Sequence, residues 1–117
     1  MHHQMSADMQ RCIELCQQCH ASCLTTVSHC LEMGGEHASR SHINILLDCA
    51  AACAQSADFM LRGSDMHGRV CGVCAETCER CAEDCERLAD GDQHMLDCAA
   101  ICRQCAESCR MMVTMTA

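Results

Sequence analysis

The stretch Cys71-Gly-Val-Cys74-Ala-Glu-Thr-Cys78-Glu-Arg-Cys81-Ala-Glu-Asp-Cys85 places a cysteine at steps of three, four, three and four. Alternating threes and fours is the spacing of one inward-facing stripe on an α-helix, with a period of about 3.5. Such a stripe ordinarily carries leucine and isoleucine; here it carries thiols. The same steps recur on either side. Cys12, Cys16, Cys19, Cys23 and Cys30 precede it, as do Cys49 and Cys53, and Cys98, Cys102, Cys105 and Cys109 follow it. All sixteen cysteines of the 117-residue chain fall on these stripes.

Glycine punctuates the stripes. Gly34-Gly35, Gly63 and Gly91 stand where helix C-terminal glycines belong. Ser6, Ser39 or Ser41, Ser64 or Asp65, and Asp92 are candidate N-caps. Helices are expected near 6–33, 39–62, 66–90 and 93–114. The short connections make neighbours antiparallel. The expected fold is all-α: an antiparallel up-down-up-down four-helix bundle with a cysteine-lined core. It forms a single domain over residues 1–117, with 1–5 as a flexible tail. Absence of proline and scarcity of β-branched residues agree with this class.

Each stripe extends beyond its cysteines. The first adds Met5, Met9, Thr26 and Met33; the second His42, Leu46, Ser56 and Met60; the third His67 and Leu88; the fourth Met95, Met112 and Met115. Sulfur therefore fills the middle of the bundle, and methionine and histidine its ends. Met33, His42, His94 and Met95 are expected at one end, and Met5, Met9, Met60, His67, Met112 and Met115 at the other. His20, His29 and His37 lie off the stripes and are expected at the surface. Met1-His2-His3 reads as part of the tail. Helix two carries a second apolar stripe, Ile43, Leu47, Ala50, Ala54, Ala57 and Leu61. A helix apolar on two faces is buried on two faces, so this stripe is expected to meet another copy of the chain.

Composition narrows the chemistry. With one Phe and no Trp or Tyr, the chain lacks the aromatics that supply much of an ordinary core. Its formal charge of −8 comes from 16 acidic against 8 basic residues, which excludes nucleic acid and anionic membranes as partners. No segment approaches the roughly 20 apolar residues of a membrane span. The N-terminus has neither a basic nor an apolar signal region. A cytoplasmic location is expected, where thiols stay reduced.

Sixteen thiols on stripes are too many to be small buried hydrophobes. Disulfides fit poorly, because neighbouring stripe cysteines share one helix. Iron–sulfur motifs wrap a loop and often end in proline, which is missing here. Zinc sites of four cysteines between helices are a stronger rival. However, each Zn(II) with four unshared thiolates leaves a charge of about −2, costly to bury. One thiolate per Cu(I) gives an uncharged interior, and thioether and thiolate both suit this soft ion. A zinc-binding or redox-sensing thiol protein remains the alternative. No nucleophile motif, phosphate loop or Cys/His/Asp signature supports an enzyme. The candidate ligands for Cu(I), many ions per chain, are the sixteen cysteines with His94, His42, Met95, Met9 and Met60.

The run Cys71 to Cys85, then His94 and Cys98-x3-Cys102-Arg-Gln-Cys105-Ala-Glu-Ser-Cys109-Arg-Met, resembles the bacterial copper storage proteins, specifically their cytosolic branch. The likeness extends from Cys12 to Met112. It implies a four-helix bundle, usually a homotetramer, filled with Cu(I) held mainly by Cys-x3-Cys pairs, with histidines near the mouth at His94. A copper chaperone is a candidate partner. The exported branch has a methionine-rich opening, so Met5, Met9 and Met95 leave the entrance open to either end. The resemblance implies that His42 and Met95 replace thiols found in relatives.

Overall fold

The computed structural model describes residues 5–114. Four helices follow in order: α1 (Ala7–Met33), α2 (Arg40–Leu61), α3 (His67–Ala89) and α4 (Gln93–Thr114). A 3-10 turn, Gly35–Ala38, not foreseen from the sequence, links α1 to α2. Each helix packs on its chain neighbours, and α1 closes the ring against α4. The result is the expected up-down-up-down bundle, with extents of 52 × 19 × 17 Å.

The helix ends have local causes. Ser6 Oγ accepts from Met9 N–H at 3.1 Å, Ser39 Oγ from His42 N–H at 3.3 Å, and Asp92 Oδ1 from Met95 N–H at 3.1 Å. Each satisfies a donor that the first turn leaves free. At α3 the expectation fails. The helix starts after Met66 with no side-chain cap, and Ser64 Oγ instead accepts from Met66 N–H, serving the turn before. The α1 stop is Gly34, at φ 72°, whose N–H reaches the Cys30 carbonyl. The chain leaves α3 through two left-handed residues, Asp90 and Gly91.

Every cysteine is fully buried, and all are free thiols. Alanines flank them on the same buried arc: Ala75, Ala82 and Ala89 on α3, Ala99 and Ala106 on α4, Ala50 and Ala57 on α2. A methyl group at these places lets the backbones approach, so thiols from facing helices meet. Gly68 serves the same end, since its α-carbon faces the Met112 and Val113 carbonyls of α4. Outside, Arg103 forks onto Glu86 at 2.7 and 3.1 Å, and Arg110 pairs with Glu79, tying α3 to α4. Exposed pairs of this kind are screened by solvent and contribute little, so the interior decides the fold.

Several stripe extensions come out differently. Met33 is 54 % exposed, because α1 stops beside it and no facing helix covers it. Ile13 and Leu15 are buried off the thiol stripe of α1, widening the core beyond the stripe itself. On α2, Ala50 and Ala57 are buried within the chain, whereas Leu47, Ala54 and Leu61 are exposed. The second apolar stripe is thus split between the intrachain core and solvent. Met5, expected in the tail, is half-buried against the core. Residues 1–4, with His2 and His3, and Met115 lie outside the described residues.

Candidate metal centre

The sulfurs form connected groups. Cys12, Cys71 and Cys109 have their sulfurs within 4.8 Å of one another. So do Cys16, Cys74, Cys105 and Cys109; then Cys19, Cys53, Cys78 and Cys105; then Cys19, Cys23, Cys49 and Cys102; then Cys23, Cys81, Cys98 and Cys102. Each group shares a member with the next: Cys109, then Cys105, then Cys19, then Cys23 and Cys102. The stripes therefore interlock into one continuous ladder along the bundle axis, and only Cys30 and Cys85 stand outside these groups.

Contact distances run from 3.6 Å for Cys16–Cys109, Cys19–Cys102 and Cys49–Cys78 to 4.0 Å for Cys23–Cys102 and Cys53–Cys105. With metal–sulfur bonds of about 2.3 Å, such pairs subtend about 100–120° at a shared ion. That range suits three- and four-coordinate ions directly. A linear two-coordinate ion needs its two sulfurs to part slightly.

Burial and neighbouring thiols act on the sulfur protons. Cys30 is pushed up to about 11 by desolvation first and then by Asp92 and the thiols of Cys98 and Cys81. Near mid-ladder, Cys53 is driven upward by Cys105 and its other thiol neighbours as well as by burial, and Cys102 by Cys19 and its neighbours in the same way. These three thiols hold their protons, and a metal bonding them would displace one from each; Cys49 and Cys105 are driven the other way by their thiol neighbours.

The two ends differ. At the end formed by the C-terminus of α1, His42 is 1 % exposed and its Nε2 lies 3.4 Å from Cys30 Sγ. Its Nδ1 lies 2.6 Å from Asp84 Oδ2, and Arg87 donates to Asp84 Oδ1 at 2.6 Å. Burial raises the Asp84 carboxyl, but the hydrogen bonds from Arg87 and His42 outweigh it and hold the group below the usual range. Sequence patterns carry no sign of this row, because Asp84 follows Glu83 on what reads as an acidic face. The order Cys–His–Asp is that of a nucleophile, base and orienting acid. At exposures of 0, 1 and 9 % the three groups are enclosed within the bundle.

Met95 is fully buried at this same end. His94 is exposed and stacks on His29, with ring centroids 4.4 Å apart and planes 9° from parallel. His29 Nε2 contacts Asp92 Oδ2 at 2.7 Å. His29 is thus no idle surface residue, but joins His94 and Asp92 at the start of α4. His20 and His37 are half-buried and bond the Ala50 and Leu88 carbonyls at 2.9 and 2.8 Å. At the opposite end Met60 and Met112 are fully buried and Met9 is half-buried. His67 is 2 % exposed there, and its Nδ1 has no partner among the described residues.

No helix among the described residues is long and apolar enough to cross a membrane. A family model described as copper storage protein matches residues 5–114. No curated protein matches the chain. Among solved structures, the Nmul_A1745 protein from Nitrosospira multiformis is 47 % identical, with 91 % of this chain and 94 % of that one covered and a TM-score of 0.85. The Cu(I)-bound copper storage protein BsCsp3 is 34 % identical, with 92 % and 99 % covered and a TM-score of 0.84. The apo form of copper storage protein 3 from Bacillus subtilis is 32 % identical, with 90 % and 98 % covered and a TM-score of 0.80.

Proposed function

The chain belongs to the copper storage protein family, and we propose on that premise that it stores Cu(I) as cargo inside the bundle, many ions per molecule. The observation that carries this reading is the ladder of shared sulfurs. Five overlapping groups with common members suit bridging thiolates around a soft monovalent ion. They do not suit isolated four-cysteine zinc sites, which need ligands of their own. Storage also matches the family the chain belongs to, and a fully buried ligand set leaves little for a catalyst to act on. The test is competition. A copper-loaded protein should keep its metal through a large excess of Zn(II), monitored by metal analysis after desalting. Ready exchange for zinc would favour the zinc-binding alternative.

In this account the sixteen cysteines are the principal ligands, with His42, His94 and Met95 at one end and Met9 and Met60 at the other. Cu(I) meets His94 first, since that ring is exposed. It passes His42 and Met95 and moves inward by ligand exchange, each shared sulfur offering a foothold in the next group. Alanine at His94 should slow loading severalfold while leaving capacity nearly intact, as measured by stopped-flow absorbance. An unchanged rate would move the entrance to the Met9 and Met60 end, where the buried Nδ1 of His67 has no hydrogen-bond partner among the described residues.

Sixteen free thiols need a reducing compartment to stay available, which supports a cytoplasmic role. Leu47, Ala54 and Leu61, one heptad apart on the outer face of α2 and exposed, support assembly with further copies of the chain, a homotetramer by family resemblance. Sedimentation equilibrium should give a mass several times that of the 12.8 kDa chain. A monomer at high micromolar concentration would refute this assembly. A copper chaperone is the natural class of donor.

A further inference from the structure

We propose that Asp84 is a positioning residue: by accepting the Nδ1 proton of His42 it turns the Nε2 lone pair onto Cys30, making Cys30 and His42 a nitrogen–sulfur copper site separate from the sulfur ladder. This rests on the storage reading and adds a ligand class to it.

Cys30 belongs to none of the sulfur groups, and among the described residues its sulfur has a single close polar neighbour, His42 Nε2 at 3.4 Å. A lone buried thiolate needs a second donor to hold a metal, and the donor in contact with Cys30 is the His42 nitrogen. An ionised carboxylate only accepts hydrogen bonds. With Asp84 Oδ2 at 2.6 Å, the proton of a neutral imidazole sits on Nδ1 and the lone pair on Nε2. Histidines that bind metal through one nitrogen commonly donate the other to a carboxylate in this way.

Asp84 is itself held. Its second oxygen receives the Arg87 guanidinium at 2.6 Å from the next turn of α3, so the carboxylate cannot swing away from α2. A carboxylate at 9 % exposure beside a thiol core costs free energy unless both oxygens are partnered. Here both are. If the site served packing alone, an apolar pair at 42 and 84 would do as well. On loading, the Cys30 S–H bond breaks, its proton leaves to solvent, and sulfur bonds the ion. His42 adds its Nε2 lone pair and releases no proton.

The test uses the whole reduced chain, 15N-labelled at histidine, with Cu(I) alone as the probe. Long-range proton–nitrogen correlation spectra of the metal-free protein should show His42 with its proton on Nδ1. Saturation with Cu(I) should then move the Nε2 resonance. In Asp84→Asn, which keeps the side-chain size, the equivalent reported by that resonance should bind about 10–100-fold more weakly, with the remaining equivalents unaffected. A wild-type metal-free protein carrying the proton on Nε2 would overturn the proposal. So would an Nε2 resonance that stays still while the thiols load, or an Asp84→Asn protein that loses thermal stability but binds the His42-linked equivalent as tightly as wild type. Thiols that fail to load at all would overturn the storage reading, and this site with it.

Discussion

Alanine at both Cys102 and Cys105 should remove far more copper capacity than two cysteines account for. Cys105 belongs to the groups of Cys16, Cys74 and Cys109 and of Cys19, Cys53 and Cys78. Cys102 belongs to the groups of Cys19, Cys23 and Cys49 and of Cys23, Cys81 and Cys98. Two substitutions therefore take a ligand from each of the four-sulfur groups. If thiolates bridge neighbouring ions, the loss should reach roughly four or more equivalents. Alanine at both Cys30 and Cys85, which lie outside every group, is the control and should lose only about two. Each Cys→Ala change removes one buried heavy atom, costing about 1 kcal/mol by comparison with loss of a buried methyl group. Both variants should therefore stay helical by circular dichroism before metal is added. Equal losses in the two variants would mean that the sulfurs bind independently.

That prediction depends on register between helices, which marks the limit of what a linear reading supplies. The thiol stripes were legible because a period near 3.5 is a property of one helix at a time. The glycine stops at Gly34 and Gly91, with the caps at Ser6, Ser39 and Asp92, are local in the same sense. Which sulfur faces which depends on the rotation and axial offset of four helices together. The sharing of Cys19, Cys23, Cys102, Cys105 and Cys109 between groups has no one-dimensional signature. Asp84 has no linear signature for the same reason. Its partners are His42 on another helix and Arg87 one turn on, so only the assembled bundle shows it as a buried link.

The failures at the ends share a cause. Met33 lies on the extended stripe of α1 but beyond the cover of α2, because the 3-10 turn carries the chain away there. Ala50 and Ala57 read as part of an outer face, yet the close approach permitted by small residues draws them into the interior. The position of His29 off the stripe predicts a surface residue. The angular width of a helix face brings it near the start of α4, where His94 stacks on it. Periodicity identifies the centre of a face well and its edges poorly.

The most direct measurement is an anaerobic titration of the fully reduced protein with Cu(I), following thiolate-to-copper absorbance and the free thiol that remains. With no Trp or Tyr in the chain, the near-ultraviolet background is almost empty. A ladder of bridging thiolates predicts that thiol reactivity disappears only after on the order of ten or more equivalents per chain. Saturation at about four equivalents, the limit for sixteen thiols in unshared four-cysteine sites, would contradict it.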